Sequence, residues 1–324
     1  MTVVYVSDVL ERVLDAGKTR AAVRNHCKVI LRGVPQLPET ELEDCLHYIA
    51  GKCMGYPAIW LVEQALDLNE EDIGSVIDRA SGPLFISLTT SVTDDFLDGD
   101  ERMSPGHMML VYLLIFEALR RPQWFFGRQE DVFLREVYPL IPGFVNEGKP
   151  QPEPQTLARL KRMAQAGERR IGAFHETIAH AMTCDRLSPE RCNDLVRLAG
   201  KFGDWCAQLD DIFDIEVDIE AGANTTRPIA LLQGRHARLA RAIAARDVSA
   251  CGTAIQAEDF QSELIAAARE RLLDLRDQSE QAGYKRLSDR LTAASERVEG
   301  AIRATRRKIE ATRFVPEMAQ PMTV

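Results

Sequence analysis

The sequence predicts an all-α protein, because strand patterns are nearly absent, helical spacing recurs, and helix-breaking residues fall at intervals. Strict alternation of apolar and polar residues, which is typical of half-buried strands, is almost missing from the 324 residues. Apolar residues three and four positions apart occur nearly everywhere instead. Proline, glycine and asparagine separate these periodic segments, as they do between helices. We therefore expect a single large bundle of about ten or more helices.

The first 121 residues contain two helical patterns of different character. The segment MMLVYLLIFEALRR (108–121) is apolar on every side, which predicts a fully buried helix between Pro105 and Pro122. Further upstream, one amphipathic stripe is formed by Leu42, Cys45, Leu46, Ile49 and Cys53.

Helical patterns continue through the rest of the chain. One long stretch covers about residues 154–183. The next begins near Ser188, a suitable N-cap, and stops near Gly222, a suitable C-terminal residue. Further periodic segments extend from Arg227 to Thr312.

The whole chain, residues 1–324, is predicted to form one domain. The prolines within 149–154 form the only candidate boundary, and a connection of this length is ordinary between helices. Residues 315–324 are predicted to be a loose tail.

Composition excludes several classes of protein. The net charge of −9 argues against nucleic acid as a partner, because a phosphate backbone requires a basic surface. No uncharged apolar run reaches the roughly 18 residues of a membrane span, and the N-terminus lacks the pattern of a secretory signal. The seven cysteines contain no CxxC pair. We therefore expect a cytoplasmic protein with reduced thiols.

A first acidic cluster follows an apolar, small-residue stretch. Asp94 and Asp98 are four residues apart and share one helix face, with Asp95 beside them. The preceding residues 84–92 contain only small hydroxyl side chains among apolar ones. The segment is therefore predicted to be a mostly buried helix that carries carboxylates at one end.

A second acidic cluster lies further along the chain. Asp210, Asp214 and Asp218 form one stripe over two helical turns, among apolar residues such as Trp205. Like charges four residues apart destabilise a helix by about 0.2–0.5 kcal/mol per pair. A single acidic patch is most often a solvated helix face. Two patches with this spacing on separate helices favour a site for hard divalent cations such as Mg²⁺.

The two clusters together resemble the aspartate-rich motifs of the class I isoprenoid synthase superfamily. DDFLD (94–98) is similar to the first motif, and LDDIFDIEVDIEAGANTTRPIALL (209–232) is similar to the second motif with its downstream segment. The similarity covers about residues 70–235, and the N-terminal helices (1–68) are less similar. The superfamily includes trans-prenyl diphosphate synthases, class I terpene cyclases, and squalene and phytoene synthases.

This resemblance implies an isoprenoid synthase fold with a deep apolar cavity. Three Mg²⁺ ions, with Mn²⁺ as an alternative metal, would bridge the two motifs to the diphosphate of an allylic prenyl substrate. Homodimers are common in the superfamily, so a homodimer is expected by analogy. The implied metal ligands are Asp94, Asp98, Asp210, Asp214 and Asp218, with Asp95 and Asp211 flanking them.

Other residues are candidates for contacts to the substrate. Arg169 and Arg170 replace the usual Lys-Thr element of the superfamily, and Arg227 follows the second motif; a guanidinium is well suited to phosphate oxygens. The alternative for Arg169 and Arg170 is a solvated helix position, and the alternative for Arg227 is a helix-capping role. The candidates for cavity lining are Phe85, Thr89, Thr90, Phe202 and Trp205, and core packing is the alternative for the aromatic residues.

The absence of certain basic residues indicates the branch of the superfamily. Chain-elongating members carry a Gly-Gly-Lys-Arg-type segment and an Arg-Arg-Gly after the first motif, whereas this sequence has GDERMSPGH with Arg102 alone. The resemblance therefore favours a terpene synthase that acts on a C15 or C20 diphosphate. One alternative is a prenyltransferase, either a polyprenyl diphosphate synthase or a head-to-head enzyme of the squalene and phytoene type. Another is a non-catalytic partner subunit of a prenyl synthase.

Overall fold

The computed structural model contains helices and no strand within the residues that it describes, so the all-α prediction is confirmed for this part of the chain. The described residues are 6–31, 43, 46, 55–97, 105–120, 171–221, 237–245 and 247–313. The helices are α1 (Val6–Leu14), α2 (Gly17–Leu31), α3 (Tyr56–Leu66), α4 (Glu70–Leu97), α5 (Pro105–Leu119), α6 (residues 171–183), α7 (Pro189–Ala221), α8 (Ala237–Ala245), α9 (Val248–Gln256), α10 (Glu258–Gln281) and α11 (Lys285–Arg313).

The last two helices form an antiparallel pair that is long and closely packed. An ion pair joins the start of α10 to the C-terminal half of α11, where Arg303 Nη2 lies 2.9 Å from Glu258 Oε1. The contact surface of α10 is an apolar stripe that repeats every three or four residues, as helical packing requires. The buried residues of this stripe are Phe260, Leu264, Ala268, Leu272 and Leu275.

The turn between α10 and α11 depends on a glycine. Gly283 has a φ of +79°, a left-handed conformation that glycine adopts without steric penalty. The Tyr284 N–H donates to the Ser279 carbonyl at 2.8 Å, and the Gly283 N–H donates to the Glu280 carbonyl at 2.9 Å. This is the Schellman pattern, which satisfies the last carbonyl groups of α10 and reverses the chain direction.

The other helices surround this pair and share one hydrophobic core. α1 and α3 pack on α11, and α7 packs on α10, α3 and α1. α2 packs on α3 and α4, and α5 packs along α4. The core includes the largest fully buried side chains, which come from most of these helices; they include Trp60, Trp205, Tyr284, Phe85, Phe174, Phe202 and Phe260.

The prediction that residues 108–121 form a fully buried helix is wrong for the described part of α5. Tyr112, Phe116 and Leu119 are 56%, 62% and 53% exposed, and they lie three to four residues apart on one face. Leu114 and Ala118 on the opposite face are buried against the core. An all-apolar sequence cannot indicate which face packs, because that depends on where neighbouring helices lie.

The described cysteines are free thiols, and no described helix is long and apolar enough to cross a membrane. Burial raises the pKa of the Cys27 thiol to about 12, because the thiolate would lose its hydration inside the core. The predicted tail, residues 315–324, lies outside the described residues.

Candidate functional site

The first acidic segment lies at the C-terminal end of α4. Asp94 and Asp95 fall in the last turn before Leu97, and this turn contains no basic residue. The final carbonyl groups of a helix carry partial negative charge, so a carboxylate there is unfavourable by about 0.3–1 kcal/mol unless a cation compensates. The side chains of Asp94 and Asp95, and the whole of Asp98, lie outside the described part of the chain.

The second acidic segment occupies the C-terminal third of α7. Asp210, Asp214 and Asp218 lie on this single continuous helix, so their four-residue spacing places them on one face. The side chain of Asp210 is half-buried. The last turn of α7 also lacks a basic residue. The side chains of Asp211, Asp214 and Asp218 are not among the described ones.

The predicted diphosphate ligands fall outside the described residues. These are Arg169, Arg170 and Arg227. Among the side chains that the structure describes, no three histidine, cysteine, aspartate or glutamate residues converge as metal ligands do. Most of the predicted metal ligands do not belong to that described set, so the metal site stays a prediction.

The predicted aromatic lining residues form part of a stacked group in the core. The Phe202 ring lies 5.6 Å from the Trp205 ring and 5.7 Å from the Trp60 ring, with near-parallel planes in both pairs. Trp205 Nε1 donates a hydrogen bond to the Ala268 carbonyl at 3.1 Å. The three rings therefore join α3 to α7, and the indole N–H joins α7 to α10.

The predicted lining residues of α4 lie within two to three turns of Asp94. Phe85 is fully buried and stacks against the His26 ring at 6.4 Å. The Thr90 hydroxyl donates to the Ile86 carbonyl at 3.0 Å. The Thr89 hydroxyl oxygen is buried and makes no hydrogen bond to any residue that the structure describes. A buried hydroxyl of this kind is a group that a bound water or ligand satisfies.

Three glycines permit a close approach between α6 and α7 that sequence interpretation missed. A Cβ atom added at Gly203 would lie 2.6 Å from His175 Nδ1 and 3.1 Å from the Gly172 Cα atom. A Cβ atom added at Gly200 would overlap the Glu176 carboxylate. Glycine alone allows such an approach, because it has no Cβ. The available signal was the pair of glycines three residues apart inside a helical segment.

Polar side chains lie where α6 and α7 approach each other, in the part of α7 that precedes Asp210 in the sequence. His175 is fully buried, and its Nδ1 lies 2.9 Å from the Ile171 carbonyl oxygen. Because a carbonyl only accepts, Nδ1 carries the hydrogen and donates it. The sequence favours a structural role for His175 and Glu176, and it gave no indication of their neighbours. The polar side chains that meet the glycines are His175 and Glu176 on α6 and Asp204 on α7. His180 and Gln208, about one turn further along the same helices, are also buried.

Substitution of Gly203 by alanine is expected to destabilise the protein by about 1–3 kcal/mol, because the added methyl group would overlap the His175 ring and crowd the Gly172 Cα atom of α6. Gly300 provides a matched control, since a Cβ there meets nothing within 4 Å. Gly300→Ala is expected to stabilise α11 by up to about 1 kcal/mol. Urea denaturation followed by circular dichroism measures both changes. Equal effects of the two substitutions would contradict the close approach of α6 and α7.

Comparison with known proteins found no family model, no curated protein and no solved structure that matches this chain.

Proposed function

We propose that this protein is a Mg²⁺-dependent class I terpene synthase. It ionises an allylic prenyl diphosphate of the C15 or C20 class, releases diphosphate, and cyclises or quenches the resulting carbocation. The observation that carries the proposal is the pair of long helices, α4 and α7, that both end in acidic residues without a basic residue in the last turn.

Electrostatics support a cation at these helix ends. Each helix presents partial negative charge at its C-terminus, and each adds carboxylates to that charge. The first segment contributes Asp94 and Asp98, and the second contributes Asp210, Asp214 and Asp218. Carboxylate oxygens are the hard ligands that Mg²⁺ prefers, and Mg²⁺ in proteins often also binds substrate phosphates. The donor set therefore fits Mg²⁺, which would supply Lewis-acid neutralisation of the leaving diphosphate.

Buried apolar side chains on the same two helices support the proposal of an isoprenoid substrate. Leu84, Phe85 and Leu88 on α4 are buried, as are Phe202 and Leu209 on α7. A hydrocarbon chain whose diphosphate is held at the acidic ends would extend along such apolar residues. Exclusion of water by these residues would protect a carbocation from premature quenching.

The test is incubation of the purified chain with Mg²⁺ and geranyl, farnesyl or geranylgeranyl diphosphate, with and without isopentenyl diphosphate. We expect a hydrocarbon or alcohol product and free diphosphate without isopentenyl diphosphate. Product that forms only with isopentenyl diphosphate would identify a chain-elongating prenyltransferase instead. Condensation of two allylic molecules would identify a head-to-head enzyme. No turnover of any substrate would reject catalysis and favour the partner-subunit alternative.

A further inference from the structure

The described part of α5 exposes an apolar stripe to solvent. Among residues 111–119, the exposed positions are Tyr112, Phe116 and Leu119, which are spaced four and three residues apart along one helix face. The exposed positions of a helix are ordinarily charged or polar. Contiguous exposed apolar residues on a folded protein commonly mark a surface that contacts a partner or a membrane.

The charge around this α5 stripe is small and is balanced locally. Glu117 is the only acidic residue of α5, and the helix contains no lysine or arginine. Arg120, which directly follows the helix, donates from Nη1 to Glu117 Oε1 at 2.8 Å. The stripe is therefore neutral over about two helical turns.

The two ends of the α5 stripe carry polar groups, whereas its middle does not. Tyr112 begins the stripe with a hydroxyl at the tip of an apolar ring. Arg120, whose side chain is 76% exposed, follows Leu119 at the other end. Tyrosine and arginine at a membrane surface place an apolar body in the hydrocarbon and a polar tip among the headgroups. The pattern therefore suits the boundary between headgroups and acyl chains.

The area of the α5 stripe is too small for a stable interface with a second copy of the chain. Tyr112 and Phe116 expose 56% and 62% of their surface. With Leu119, the stripe offers roughly 300 Å², whereas a stable protein interface buries about 800 Å² on each partner. A lipid surface requires no matched partner area, because an amphipathic helix binds it through the side chains of one inserted face.

We propose that α5 is a membrane-contact helix, which binds peripherally to the surface of a zwitterionic phospholipid bilayer. Phe116 and Leu119 insert at the boundary of the acyl chains, and Tyr112 and Arg120 lie at the level of the headgroups. The net charge of −9 disfavours approach to an anionic membrane. Apolar insertion rather than electrostatic attraction therefore provides the affinity.

The first experiment is co-flotation of the full chain with large unilamellar vesicles of phosphatidylcholine, without Mg²⁺ or diphosphate. Its result is therefore independent of the proposed enzymatic function. We expect the protein to float with these vesicles, and no less at high salt than at low salt, because salt does not screen apolar contacts. Vesicles that also contain phosphatidylserine are expected to bind less protein.

A matched pair of variants locates the contact. Phe116→Asp places a charge in the middle of the α5 stripe and is expected to lower the vesicle partition coefficient about ten- to a hundredfold. Val29→Asp places the same charge at an apolar residue that is 73% exposed on α2, and it is expected to leave flotation unchanged. Both positions are exposed, so both variants are expected to keep the circular dichroism spectrum of the wild type.

Insertion is measured with a second pair of variants, Phe116→Trp and Val29→Trp, each of which adds one indole at an exposed position. The vesicles contain phosphatidylcholine brominated on its acyl chains, and bromine quenches only the indoles that lie near it. We expect quenching of the fluorescence that Phe116→Trp adds, and no quenching of the fluorescence that Val29→Trp adds.

Three results would each overturn the proposal. They are absence of flotation with phosphatidylcholine, wild-type flotation of Phe116→Asp, and no quenching of Phe116→Trp by brominated lipid. Light scattering that shows a dimer of the wild-type chain and a monomer of Phe116→Asp would assign the stripe to a second copy, and it would overturn the proposal as well.

Discussion

Substitution of Asp210 by alanine is expected to lower turnover of an allylic diphosphate by about a hundred- to a thousandfold, as removal of a group that stabilises transition-state charge commonly does. The same substitution removes a repulsion between Asp210 and Asp214, which are four residues apart on α7. Asp210 also has interactions of its own, and their loss opposes the gain from the removed repulsion. The free energy of unfolding should therefore change by no more than about 1 kcal/mol. Steady-state diphosphate release and urea denaturation measure the two quantities.

Asp194→Ala is the matched control on the same helix. Asp194 is exposed and pairs with Arg197 at 3.0 Å near the start of α7. Its substitution is expected to leave turnover unchanged. Asp94→Ala, at the end of α4, is expected to lower turnover by the same factor as Asp210→Ala. Full activity of either the Asp94 or the Asp210 variant would refute the metal assignment.

Trp205→Ala is expected to destabilise the protein by about 3–5 kcal/mol, the usual range for removal of a buried aromatic side chain. The substitution leaves a cavity beside Phe202, whose ring stacks on Trp205. It also leaves the buried Ala268 carbonyl without its indole donor. Urea denaturation followed by far-ultraviolet circular dichroism measures this loss, because the signal does not depend on tryptophan fluorescence.

Phe116→Ala is the control for this prediction. Phe116 is also aromatic but is 62% exposed on α5. Its removal is expected to change the free energy of unfolding by no more than about 0.5 kcal/mol. If the Trp205→Ala variant had a free energy of unfolding within about 1 kcal/mol of wild type, the stacked rings of Trp60, Phe202 and Trp205 would not be part of a close-packed core.

Helix identity and helix ends could be predicted from sequence because the signals are local. α7 begins at Pro189, directly after Ser188, whose hydroxyl accepts from the Arg191 N–H at 3.5 Å. The N-terminal boundary matches the predicted cap residue, because capping depends only on residues within one turn. The predicted stop at Gly222 lies outside the described residues.

Features that depend on which helices are neighbours could not be predicted. The exposed face of α5 and the approach of Gly203 to Gly172 both require the position of a second helix. For the acidic segments, the spacing of Asp210, Asp214 and Asp218 on one face followed from the helical period alone.

The contact between α1 and α11 has a consequence for folding during synthesis. Arg297 Nε on α11 donates to the Val13 carbonyl at 2.9 Å, across a sequence separation of 284 residues. At about 5–20 residues per second, a ribosome needs roughly 15–60 s to make the chain between them. The apolar face of α1 stays without this partner for that time, so an emerging chain depends on protection from aggregation until α11 arrives.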